Sequence, residues 1–164
     1  MDNKKITYTT GDESTLDGIA ELWDKLRQLH YEKSRDFKHY YDGFTFAERK
    51  KALISQADEG ELLVVIASEG SRNIGYCVSG VAKGTGEVKS IFVEEDYRRS
   101  DIGGKMMEIT LEWIKARSPE KITLEVATGN EEVLGFYAKF GFAPRLIELQ
   151  WIQPTARTLS ALPR

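Results

Sequence analysis

The feature that most constrains this chain is a strand that runs into a basic, glycine-containing loop opening a long helix. Glu87 to Val93 reads as the strand, with Val88, Ser90 and Phe92 expected on one face and Glu87, Lys89, Ile91 and Val93 on the other. Glu94-Glu95-Asp96-Tyr97 leads into Arg98-Arg99-Ser100-Asp101-Ile102-Gly103-Gly104-Lys105. The helix follows from about Ile102 to Arg117. Its stripe of Ile102, Met106, Ile109 and Trp113 recurs at helical spacing, and Met107, Leu111 and Ile114 widen it. Such a helix must pack against a sheet. Its start is a ready anion site, because the first N–H groups lack partners and the helix dipole is positive there. Arg98, Arg99 and Lys105 add charge, and the glycines admit a ligand to the backbone. Taken alone, the pattern fits a pyrophosphate and a solvated turn equally well.

The rest of the chain supplies the sheet. Ile6 to Thr10 reads as a strand, Asp12 or Ser14 as a cap, and Leu16, Ile19, Trp23, Leu26 and Leu29 or His30 as a helical stripe. His30 to Gly43 has no clean period. Thr45 and Glu48 have capping-box spacing before a second helix that ends near Gly60. Leu62 to Ser68 and Asn73 to Val81 read as buried strands, and Lys121 to Ala127 as another. Glu131 to Phe140 reads as a helix stopped by Gly141, and Arg145 to Ile152 as the last strand. The order is strand, helix, helix, three strands, helix, strand, helix, strand. This is a mixed α/β fold: a mostly antiparallel sheet with one parallel crossover and helices on both faces. Residues 1–164 are expected to form a single domain, with a tail from Pro154 to Arg164 that lacks periodicity.

Bulk properties exclude more than they assign. A chain of 164 residues with net charge −3 argues against a nucleic-acid partner. The longest apolar run, Leu62 to Ala67, is too short to cross a membrane. The first residues lack a signal-peptide core, so a cytoplasmic location is expected. The single cysteine, Cys77, reads as an inert core thiol. His30 and His39 are isolated, and no metal-ligand spacing exists, so no metal is expected. A nucleotide-binding Rossmann unit would need a glycine-rich loop after the first strand, which Thr9-Thr10-Gly11-Asp12 does not provide.

Val88 to Phe142 resembles the GNAT superfamily of acetyl-CoA-dependent N-acetyltransferases. Two motifs carry the resemblance. One is Ile91-Phe92-Val93 with Tyr97-Arg98-Arg99-Ser100-Asp101-Ile102-Gly103, similar to the family's cofactor strand and its Arg/Gln-x-x-Gly-x-Gly/Ala loop. The other is Asn130 with Phe136-Tyr137-Ala138-Lys139-Phe140-Gly141-Phe142, similar to its fourth helix. The resemblance implies the GNAT fold, with a cofactor core at about 87–142 and acceptor-side elements at about 12–60. It implies that backbone groups of Ile91 and Val93, flanking Phe92, pair with the pantetheine arm of acetyl-CoA. It implies that amides from Arg99 to Gly104 (Arg99, Ser100, Asp101, Ile102, Gly103, Gly104) and the Arg98 side chain hold the pyrophosphate. Lys105 either adds charge or faces solvent. Asn130 would contact the cofactor and Tyr137 would lie near the sulfur. Asp101 departs from the pattern, standing where the family has glycine.

The chemistry follows from the amine. A primary amine with pKa ~10.4 is only about 0.04% neutral at pH 7, so a base is useful. Glu87, at an offset used for the base in some GNAT enzymes, is either that base or a solvated turn residue. Tyr137 is either the acid that protonates the leaving thiolate or a half-buried aromatic of the packing face. The N–H of Ile91 is a candidate oxyanion donor. Asp36, Asp42, Tyr40 and Tyr41 either bind a cationic acceptor or form a solvated loop. The expected acceptor is a small-molecule amine, and a homodimer through the tail is compatible with the sequence. The alternative is a non-catalytic acyl-CoA or amine sensor on the same fold.

Overall fold

A computed structural model describes residues 5–153. The order of elements is β1 (Ile6–Gly11), α1 (Ala20–Lys33), α2 (Phe46–Ala57), β2 (Gly60–Glu69), β3 (Arg72–Ala82), β4 (Thr85–Val93), α3 (Ile102–Lys115), β5 (Lys121–Leu124) and α4 (Leu134–Ala138). The strands form one five-stranded sheet in chain order. The first four pair antiparallel, and β4 pairs β5 in parallel. A 3-10 stretch, Glu13–Ile19, precedes α1, and the Asp12 carboxylate accepts from the Ser14 N–H at its start. The capping box at α2 forms as its spacing predicts, with Thr45 and Glu48 bonding reciprocally.

Two cores flank the sheet, and β2 explains why. Leu62, Val64 and Ile66 join Leu16, Ile19, Trp23 and Leu53 beneath α1 and α2. Leu63, Val65 and Ala67 join Met106, Met107, Leu111 and Ile114 beneath α3. A strand covered on both faces is apolar at every position, which is the continuous run seen in its sequence.

The strict alternation expected along β4 does not hold. Val78 pairs with Ser90 and Ser79 with Val88, so Lys89 is an extra residue in a bulge. Val88 packs under α3 while Phe92 packs under α1, on the opposite face. The bulge lies where β5 leaves. Pairing between β4 and β5 runs from Thr85↔Lys121 to Val88↔Leu124, and Ser90 to Val93 then pairs with β3 alone. The two parallel strands splay, and a cleft opens between them.

The sixth strand expected at Arg145 to Ile152 is also absent. That stretch pairs with no strand among the described residues. Leu146, Ile147, Leu149 and Trp151 are 63%, 85%, 90% and 77% exposed. Alternating apolar residues make a strand only where a sheet edge is in reach to pair with. Here the contact that ties the segment down is a hydrogen bond from Gln150 Nε2 to the Tyr40 hydroxyl, 2.6 Å. The expected tail, Pro154 to Arg164, lies outside the described residues, as does the dimer contact assigned to it. No helix among the described residues is long and apolar enough to cross a membrane.

Candidate active site

The splay between β4 and β5 is the floor of a cleft of about 570 Å³, within the usual range for small-ligand sites. Ile91, Phe92, Val93, Arg98, Arg99, Asp101, Ile102, Gly103, Gly104, Asn130 and Tyr137 all line it. Two motifs about forty residues apart in the chain therefore meet in one place. Ser100 and Lys105 do not line it, and Lys105 is turned to Glu108 at 3.0 Å.

The loop owes its shape to backbone angles. Arg99 (φ 64°) and Asp101 (φ 60°, ψ 14°) are both left-handed. The left-handed φ at Asp101 is a reason for glycine at that position, and Asp is among the side chains that tolerate it best. The first full helical bond of α3 is Lys105 N–H to Asp101 O, 2.9 Å, which leaves the N–H groups of Ile102, Gly103 and Gly104 without helical partners. These are donors for an anion. The Asp101 side chain makes no capping hydrogen bond to α3. Its carboxylate folds over Gly104, where a Cβ would collide with Oδ1. A negative charge thus sits at the mouth of the anion site.

Arg98 is engaged within the chain. Its Nε donates to the Val93 carbonyl at 2.9 Å, and its guanidinium lies over the Phe92 ring, 5.4 Å from the centroid. The side chain braces the end of β4 from within the cleft and takes up one of the strand's carbonyls.

Tyr137 lies deep in the cleft, ringed by Phe136 (5.2 Å) and Phe142 (6.3 Å). Burial pushes its hydroxyl up to about 12, with the neighbouring Cys77 adding to the shift. Cys77 is fully buried and accepts from Thr110 Oγ1 at 3.3 Å. Burial pushes its thiol up to about 12, so it stays protonated and unreactive.

Glu87 does not line the cleft. Its carboxylate pairs with Lys89 Nζ at 2.5 Å, and Lys89 is the one that faces inward. Three acidic residues do line it: Asp101, Glu125 and Glu132. Glu132 is held by Lys33, whereas Glu125 has no hydrogen bond or ion pair among the described residues. Sequence reasoning passed over Glu125 as one polar position on a strand. The signal it lacked was that β5 ends at Leu124, one residue earlier. His30 also lines the cleft, and burial together with Lys33 holds its imidazole below the ordinary value. It is therefore neutral at pH 7. His39 stacks on Tyr40 at 4.6 Å, away from the cleft.

The residues fit an acyl-CoA. Free N–H groups and Arg99 suit a pyrophosphate, and the half-paired stretch of β4 suits an extended amide-bearing arm. At the anion loop itself, the Asp101 carboxylate opposes it.

Comparison with known proteins agrees. Residues 21–142 match the model of the acetyltransferase (GNAT) family. The N-alpha-acetyltransferase 30 of Schizosaccharomyces pombe is 30% identical over 144 residues, 84% of this chain and 83% of that protein. An uncharacterised N-acetyltransferase of Methanocaldococcus jannaschii is 24% identical over 82% of this chain, which spans 62% of that protein's length. Among solved structures, the PaiA N-acetyltransferase of Thermoplasma acidophilum in complex with coenzyme A superimposes with a TM-score of 0.70. It is 17% identical, with 88% of this chain and 93% of that one covered. With its loop, splayed strands and partner helix in one cleft, the chain belongs to the acetyltransferase (GNAT) family.

Proposed function

We propose that this protein transfers an acetyl group from acetyl-CoA to a primary amine, by direct attack with both substrates bound. The observation that carries this reading is the single cleft shared by the anion loop, the half-paired strand and Tyr137. Acetyl-CoA supplies a thioester whose carbonyl carbon accepts the amine, so that a C–N bond forms and the C–S bond breaks. The residues of the chain do the rest.

The amine must arrive neutral. Glu125 is an unpaired carboxylate at the cleft wall and takes the ammonium proton directly. Glu87 faces away and is neutralised by Lys89, so as a base it would work only through water. The N–H of Ile91 is the donor for the oxyanion that develops at the thioester carbonyl. Tyr137, still protonated at neutral pH, gives its proton to the departing thiolate. Cys77 is buried and protonated, so no acyl-enzyme is required. The acceptor enters past the connection that carries Asp36, Tyr40, Tyr41 and Asp42, where acidic and aromatic groups favour a cationic small molecule.

The test is a free-thiol assay with acetyl-CoA and a panel of polyamines, amino acids, aminoglycosides and short peptides. Turnover on at least one small amine is expected. Turnover on peptides alone would overturn the small-molecule assignment. Cofactor binding without turnover on any amine would favour a non-catalytic sensor. For the base, Glu125→Gln is expected to lower kcat by about a hundredfold or more, and Glu87→Gln by much less. The reverse order would return the role to Glu87.

A further inference from the structure

Lys33, the last residue of α1, joins that helix to the turn that carries Asn130. Its Nζ donates to Asn130 Oδ1 at 2.9 Å and pairs with the Glu132 carboxylate. The backbone is fitted at the same point. Gly129 has φ +90°, and a Cβ there would run into the Lys33 carbonyl. The turn is further fixed by Asn130 N–H to Ala127 O (3.1 Å) and Gly129 N–H to Glu131 Oε1 (2.9 Å). Lys33 and Asn130 both line the cleft, and the lysine side chain is only 23% exposed.

An ammonium has three donors and no acceptor. It can bind a carboxamide only through oxygen. That contact removes the twofold ambiguity of an asparagine side chain. With Oδ1 held by Lys33, the Asn130 NH₂ is turned the other way. We infer that Lys33 is a positioning residue that sets Asn130 to present its NH₂, as a donor, to a carbonyl of the bound acyl donor. The inference rests on the acyl-CoA reading, because the pantetheine arm is the part of that molecule with amide carbonyls. An untethered Asn130 would offer its oxygen as readily as its NH₂, and oxygen facing a carbonyl repels. Glu132 offsets the Lys33 charge, so what the lysine delivers is orientation more than positive potential. Neutral His30, one turn earlier on the same helix face, brings no competing charge.

The experiment is calorimetric titration of the full chain with CoA, with melting curves for every variant. Lys33→Met is expected to weaken CoA binding by about fivefold, the scale of one hydrogen bond. Lys33→Arg, which keeps the donor, should restore affinity to within about twofold of the original chain. The double variant Lys33→Met/Asn130→Ala should bind no worse than Asn130→Ala alone, because both act on one contact. Lys33→Met affinity equal to that of the original chain, or losses that multiply in the double variant, would overturn the inference. Should Lys33→Met not fold, Asn130→Asp decides. It keeps a charge-assisted bond to Lys33 but has no N–H to offer, so it must lose at least as much affinity as Asn130→Ala. Full affinity in Asn130→Asp would overturn the inference. If the original chain bound no CoA, the acyl-CoA reading itself would fall. Binding by the original chain with no effect of these variants would sink the positioning role alone.

Discussion

The cleft and the proposed acceptor approach are built in different ways. The donor side is backbone: the left-handed Arg99 and Asp101, the free amides of α3 and the half-paired β4, all seated on a helix whose inner face is fully buried. The proposed acceptor approach, whose residues do not line the cleft, is side chains on irregular segments. Phe37, His39 and Tyr40 pack on one another, and the stretch beyond Phe142 touches Tyr40 through Gln150. A backbone site binds what every acyl-CoA shares. A side-chain site can be rewritten without disturbing the fold, which is where specificity for one amine would lie.

If that contrast is right, catalysis depends most on Tyr137, the half-buried group proposed to protonate the leaving thiolate. Tyr137→Phe should lower kcat by about 10² to 10⁴ while CoA affinity stays nearly constant. Steady-state kinetics beside a CoA titration checks it, and unchanged turnover would reduce Tyr137 to packing.

The next effect concerns the donor side itself. Asp101→Gly removes a carboxylate that folds over the first turn of α3. At about 6 Å from a phosphate charge, that carboxylate costs roughly 0.7 kcal/mol in water-like surroundings and ~2.8 at an effective dielectric of 20. Calorimetry should show CoA binding tightened by about threefold to a hundredfold. Unchanged affinity would mean that the carboxylate swings away when ligand binds.

A smaller effect links α1 to pH. The folded pKa of His30 lies below its unfolded value, so the unfolded chain binds the proton more readily. The stability tied to the neutral ring is complete above about pH 6.5 and is lost as pH falls below it. His30→Gln should therefore flatten the decline in melting temperature between about pH 7 and 5. An identical slope in the variant would place His30 in solvent.

The smallest effect belongs to the acceptor side. Trp151→Ser removes a large exposed ring and should change stability by no more than about 0.5 kcal/mol. A larger loss in a denaturant titration would show that the ring is covered in solution.

The same contrast explains what could be read from the chain. The stripe of α3 is periodic and the apolar run of β2 is continuous, so both gave away their elements and their burial. The anion loop and the Asn130–Tyr137 spacing are local patterns, and the structure brings them together as the spacing implied. The facing of β4 was not legible, because one inserted residue, Lys89, reverses the phase and leaves no mark on composition. Glu125 was missed because its place at the cleft wall depends on where β5 parts from β4. The pairing of Lys33 with Asn130 spans 97 positions and has no local signature. Arg145 to Ile152 misled for the opposite reason: its pattern is that of a strand, but no described edge receives it.

The central claim is that the cleft between β4 and β5 holds an acyl-CoA. The most direct measurement is calorimetric titration of the chain with CoA, repeated after Gly103→Glu places a carboxylate where the anion should lie. Saturable binding at micromolar to sub-millimolar concentration, lost in Gly103→Glu at unchanged melting temperature, is the predicted result. No binding at millimolar CoA, or binding that survives the added charge, would contradict it.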